Sequence, residues 1–250
     1  MVLEDRNLVA FQLSDPELSQ VLPSESVKMG LGNCEFLKLE DVRFLFHSIR
    51  DENPSLFGRK DRPAFPTGVQ LSNFGEKILQ AVRESQTKGP PFLFLVWKED
   101  DSLNPHTRIR RTSFYFFCES QKVHVVFGEW KKDIVFQNHF TFSEWITSPR
   151  FKIQPTDKER FFILESARNH IGFHIMNQGG QKAIYPDWIV FYPGKIPPDA
   201  TVFSGGSENQ NESQQRNPKE RLKILEELRK EGLITESEYQ ERRLEILKEL

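Results

Sequence analysis

The chain has 250 residues, 37% of them hydrophobic and 28% charged, with a formal net charge of −2. This predicts one domain of about 200 residues with a buried core plus an appendage. It excludes the strongly basic surface that binds nucleic acid or an acidic membrane through bulk charge. Cys34 and Cys118 stand far apart and outside any CxxC spacing, so neither a disulfide framework nor a zinc knuckle is indicated. They read first as two reduced thiols, with a single bridge between them left open.

The opening MVLEDRNLVAFQLSD lacks the basic start and apolar run of a secretory signal peptide. The longest apolar runs, such as Pro90 to Trp97, fall short of the ~20 residues of a membrane helix. A soluble, cytoplasmic protein is the default expectation. Export stays open if a native leader is missing from this chain.

In LKLEDVRFLFHSIRDENP, Leu39, Val42, Leu45, Phe46 and Ile49 fall at helical intervals, and Pro54 restricts the residue before it. A first helix near 40–51 is predicted. Ser72 or Asn73 can cap a second helix near 73–86, with Phe74, Ile78, Leu79 and Val82 on one face. The period then changes. FLFLVWKED, TRIRRTSFYFFCES, KVHVVFGEW and DIVFQNHF are rich in aromatic and β-branched residues and separated by polar turns, as in an antiparallel meander. Phe114, Tyr115, Phe116 and Phe117 are consecutive, so both faces of that strand are apolar and it belongs at the centre of the sheet. TFSEWI near 141–146 reads as a short helix, DKERFFILESARN fits helix or strand with strand preferred over 160–165, and IGFHIM and WIVFY read as further strands. The predicted class is α+β: an antiparallel sheet of aromatic-rich strands with two or three packing helices, followed by a flexible linker and a C-terminal two-helix hairpin.

Chemistry-bearing motifs are sparse. His170 and His174 are spaced four apart, as metal ligands are on a helix, but Ile171, Phe173 and Ile175 alternate as in a strand. Two exposed or hydrogen-bonded histidines on a sheet face are therefore expected rather than a metal site. The glycines of GLGNCE and FSGGSE lack the spacing of a phosphate-binding loop, and Glu40-Asp41 and Asp100-Asp101 fit a helix start and a turn. No cofactor is expected and no residue earns a catalytic role. Arg108, Arg110 and Arg111 followed by aromatics form the one pattern that single-stranded nucleic acid platforms use. Pairing with Glu99 to Asp101 across a hairpin is the competing explanation. An aromatic-lined pocket within residues 90–200, serving an enzyme or a ligand-binding domain, is a further alternative.

Residues 204–215, SGGSENQNESQQ, carry no apolar side chain and are read as part of a flexible linker over 204–216. This bounds a domain at 1–203. Beyond the linker, Asn217 caps a helix with Pro218 at its first position, Leu222, Leu225 and Leu228 form its stripe, and Gly232 ends it. Thr235 and Glu238 form a capping box for a second helix, Ile234 staples onto Tyr239, and Ile246, Leu247 and Leu250 continue the stripe. The two helices, joined by Leu233-Ile234, make an αα-hairpin over 217–250.

In its first-helix spacing, its Gly-Leu-Ile-Thr turn at 232–235, Tyr239 and its Leu-rich end, RLKILEELRKEGLITESEYQERRLEIL closely resembles the SHOCT (short C-terminal) domain, over about residues 218–248. The resemblance implies a bacterial protein in which this module mediates oligomerisation or binding of another macromolecule. It implies nothing about the upstream domain. A hairpin this small is below the ~40 residues at which a chain usually needs a metal, a disulfide or association to stay folded. The expected function is an interaction or assembly protein, with Leu222, Leu225, Leu228, Leu233, Ile234, Tyr239, Ile246, Leu247 and Leu250 meeting a second copy or another protein.

Overall fold

A computed structural model describes residues 1–23, 30–51, 54–55, 58–59, 62–100, 108–135, 144–156, 160–178, 181–196 and 202–203. The chain divides into two units, Met1–Gly205 and Gly206–Leu250, and all described residues belong to the first. The predicted linker and hairpin, with every tail residue named above, lie outside the described residues.

The chain opens with a hairpin that sequence reasoning did not predict, β1 (Leu3–Glu4) and β2 (Leu8–Gln12). Its turn closes where the Asn7 amide donates to Asp5 Oδ1 at 3.2 Å. Helix α1 (Asp15–Val21) follows, and the Glu17 carboxylate accepts from both the amide and the hydroxyl of Ser14, each at 2.8 Å. Helix α2 (Leu39–His47) carries Val42, Leu45 and Phe46 on its buried face. It ends before the predicted residue 51 because Ile49–Asp51 forms a strand, β3, with Ile49 and Arg50 buried. The short strands β4 (Pro54–Ser55), β5 (Gly58–Arg59) and β6 (Arg62–Pro63) precede α3 (Gly68–Gln86). That helix starts at Gly68 rather than near 73, which brings Leu71 into the buried stripe of Phe74, Ile78, Leu79 and Val82. At Gly75 an added Cβ would lie 3.0 Å from Leu39 Cδ1, so glycine lets α3 approach α2 closely.

The predicted meander is present as β7 (Phe92–Asp100), β8 (Arg108–Glu119), β9 (Lys122–Phe127) and β10 (Lys132–Val135). The described part of the helix expected near 141–146 is a 3-10 turn, Glu144–Ile146. The strand expected over 160–165 is β11 (Phe161–Ile163), followed by a 3-10 turn at Glu165–Ala167. β12 (Ile171–Gln178), β13 (Gln181–Phe191) and β14 (Val202–Phe203) complete the strands. Among the described residues the main sheet runs β1-β2-β7-β8-β9-β13-β12-β14 with antiparallel pairings, and β10 also pairs with β8. No described helix is long and apolar enough to cross a membrane.

β8 is central and apolar on both faces. Phe114 and Phe116 join a core with α2 and α3. Tyr115 and Phe117 join a second core with Val21 of α1, Trp145 and Ile153. Alternation along one strand therefore feeds two hydrophobic layers, as expected for a sheet covered on both sides.

The reduced-thiol reading of the cysteines is corrected: Cys34 and Cys118 form a disulfide with Cα atoms 5.6 Å apart. The contact arises because the segment around Leu31 runs alongside the end of β8. Gly32 N donates to Cys118 O at 3.0 Å, and Leu31 pairs with Glu119. An 84-residue separation hides this from spacing arguments.

Candidate functional site

The sheet forks at the end of β9. Pairing between β9 and β13 stops at Val126 and Trp188, while the chain after Phe127 stays with β8 through Gly128 and Glu129 and then β10. β13 diverges because Pro186 cannot donate to a ladder. On its β12 side the register jumps from Phe173↔Ile189 to His174↔Tyr185, leaving Pro186, Asp187 and Trp188 in a bulge. A cleft of about 440 Å³ opens at the fork, lined among others by Gly128, Glu129, Phe151, Arg160, Tyr185 and Asp187. That volume lies within the small-molecule range.

The wall at Gly128 is fixed by packing. The Tyr115 hydroxyl donates to Phe151 O at 2.8 Å and accepts from Phe151 N at 3.1 Å, with the two rings stacked 4.3 Å apart. Burial holds the Tyr115 phenol up at about 12, so it remains a donor. The ring of Phe151 then sits so close to Gly128 that an added Cβ would come within 2.2 Å of it. Only glycine fits there.

Asp187 is the unusual group of the cleft. It is 9% exposed, and among the described residues its Oδ1 accepts no hydrogen bond and pairs only with Arg160, whose Nε stands 3.6 Å away. Burial raises its carboxyl to about 6, against the attraction of Arg160. Arg160 is itself aimed by a hydrogen bond from Nη1 to Gly128 O at 2.5 Å. A buried carboxylate left short of donors is costly unless something else satisfies it, which marks the fork as the candidate site.

Two neighbouring clusters gather more partners around their carboxylates. Arg111 forks onto Glu129 with Nε at 2.7 Å from Oε2 and Nη2 at 2.9 Å from Oε1, and Ser148 Oγ and Lys132 Nζ each donate to the same carboxylate at 2.7 Å. Glu129 is held low by these partners against the opposing effect of its burial. In the second cluster the Trp188 indole, a donor only, gives its hydrogen to His124 Nδ1 at 2.9 Å. This fixes His124 as the neutral tautomer protonated at Nε2, which faces Glu119 Oε2 at 3.3 Å short of good hydrogen-bond alignment. His124 is fully buried and held low chiefly by that burial. Glu119 is held near 2 by His124 and by Lys122, whose Nζ is 2.6 Å away.

The residues singled out from sequence fall apart in space. His170 turns its Nδ1 to Gly194 O and lies edge-on to Phe44, whereas His174 stacks on Trp188 at 4.0 Å and is driven down to about 3, mainly by burial. His174 neighbours His124, with ring centroids 6.0 Å apart, rather than His170. No group of three or more His, Cys, Asp or Glu with metal-holding geometry occurs among the described residues. Arg108 opens β8 opposite Val135, Arg110 is half-exposed 3.9 Å from Asp133, and Arg111 is buried against Glu129. Across β7 the register sets Arg110 opposite Glu99.

Sequence reasoning missed Gly128, Phe151, Arg160 and Asp187. The one available signal was Pro186 inside the run AIYPDWIVF, since proline within a strand marks a bulge. No family model, curated protein or solved structure matches the chain.

Proposed function

We propose that this chain is an interaction or assembly protein in which residues 217–250, a SHOCT-like hairpin, join the sheet domain to a second copy or to another protein. The observation that carries this reading is the pair of leucine-rich stripes, Leu222, Leu225 and Leu228 with Ile246, Leu247 and Leu250, on a hairpin too small to bury them alone. A flexible linker at 204–216 lets such a hairpin reach its contact and raises the effective concentration of the domains it joins. Light scattering on the full chain and on Leu222→Ser/Leu225→Ser/Leu228→Ser, over a range of concentrations, tests it. An oligomer that the triple substitution converts to monomer supports self-association. A monomer in both cases moves the reading to docking within the same chain or to a foreign partner.

A second reading, a ligand-binding domain with an aromatic-lined pocket in residues 90–200, is favoured by the under-satisfied Asp187 in the fork cleft. Nucleic-acid binding through Arg108, Arg110 and Arg111 has less support, because Arg111 is committed to Glu129. Of the two locations left open, cytoplasm and export, the buried Cys34–Cys118 bridge favours an oxidising compartment.

A further inference from the structure

The fork cleft presents an acceptor and a donor side by side. Among the described residues Asp187 Oδ1 has no hydrogen bond, while Arg160 gives Nη1 to Gly128 O and turns Nε towards Asp187. Charge narrows what can bind here. Glu129 is already taken by Arg111 and Lys132, and Arg160 and Asp187 stand together as a pair of opposite charge. A neutral molecule that both donates and accepts at adjacent atoms meets both groups without an uncompensated charge. Exposed Gln154 adds a further amide at the rim, and the ring of Phe151 provides an apolar wall for the C–H face of such a molecule.

We infer that the fork cleft binds a neutral polyhydroxylated ligand, a mono- or disaccharide, with Asp187 accepting from one hydroxyl while Arg160 donates to its neighbour. This rests on the ligand-binding reading of the domain. It also explains a local conflict. β13 interrupts its ladder with Pro186 and buries a carboxylate without enough donors, a local cost of the kind concentrated at binding sites.

The test is amide chemical-shift titration of the full chain with glucose, galactose, maltose and cellobiose, with methylammonium and acetate as charged controls. At least one sugar is expected to shift the amides of Gly128, Phe151 and Asp187 saturably. Asp187→Ala should weaken that binding about 10–100-fold, the loss of one charge-assisted hydrogen bond. The near-isosteric Asp187→Asn, expected to fold at least as well as the parent, replaces it if the alanine variant does not fold. Saturable shifts from methylammonium or acetate but from no sugar overturn the ligand class and leave the cleft a binding site. Shifts from none of the probes, or sugar shifts confined to other amides, overturn the site as well.

Discussion

From β8, Phe114 and Phe116 point into the face covered by α2 and α3, and Tyr115 and Phe117 into the face covered by α1, Trp145 and Ile153. The two faces handle polar groups differently. The helix-covered face is packed from Phe, Leu, Val and Ile side chains, with Phe46 in contact with the rings of Phe65, Phe74 and Phe114. The opposite face and the adjoining fork hold Tyr115, Glu119, His124, His174 and Asp187, each driven far from its ordinary ionisation by burial or a close partner. Two regular helices cover one side, where a cleft of about 460 Å³ also opens between α3 and the sheet, lined among others by Asn7, Phe74, Lys77 and Glu99. On the other, a one-sided cover of short helix, 3-10 turn and extended chain leaves room for polar groups and for the fork cleft. Core and candidate chemistry are thus separated by a single sheet.

The contrast can be broken most strongly on the helix side. Phe46→Ala removes the hub of an aromatic cluster, and about 3–5 kcal/mol of stability should be lost in urea unfolding. The loss should be the same at pH 5 and pH 8, because the cluster around it contains no titrating group. A strongly pH-dependent loss would contradict the separation of the two faces.

Asp187→Asn should act in the opposite direction. The parent's carboxyl titrates near 3.8 when unfolded and near 6 when folded, so the folded state favours the protonated form. That contribution is fully present below pH 3.8 and disappears as pH rises through 6. The asparagine variant lacks the ionisation. It should therefore match the parent near pH 4 and exceed it by roughly 1–3 kcal/mol above pH 6. Thermal or urea unfolding across that range checks this. A variant destabilised at pH 7 would mean that the attraction of Arg160 outweighs the burial cost.

Gly128→Ala sharpens the picture at the fork itself. Its methyl would collide with the Phe151 ring, which Tyr115 holds on the other side, and a loss of about 1–3 kcal/mol is expected. Phe151→Leu in the same chain should recover part of it. An alanine variant as stable as the parent would show that Phe151 is not pinned.

The meander from Phe92 to Phe127 was legible because aromatic and β-branched runs alternate with polar turns, and Phe114 to Phe117 announced a doubly covered strand. The first 38 residues were less so. β2 is only five residues long, although the Ser14 to Glu17 capping box was there to mark α1. Helix α2 is shorter than its apolar spacing and Pro54 suggest, because Ser48 already turns the chain, donating its hydroxyl to Phe44 O at 2.6 Å, and hands Ile49 to a strand. The fork was out of reach. Gly128, Phe151, Arg160 and Asp187 meet only through the divergence of β13 from β9, and a bulge at Pro186 sets that divergence without saying which residues will face it. The disulfide was hidden for the same reason, since contacts between distant segments leave no local pattern.

The most direct measurement is an NMR titration of the Asp187 side-chain carboxyl in the folded chain. A midpoint near pH 6 would show that the fork holds this carboxylate in a buried, under-satisfied state, as expected of a site awaiting a ligand. A midpoint near the ordinary 3.8 would show a carboxylate fully satisfied by Arg160 and water, and the fork would be an ordinary surface groove.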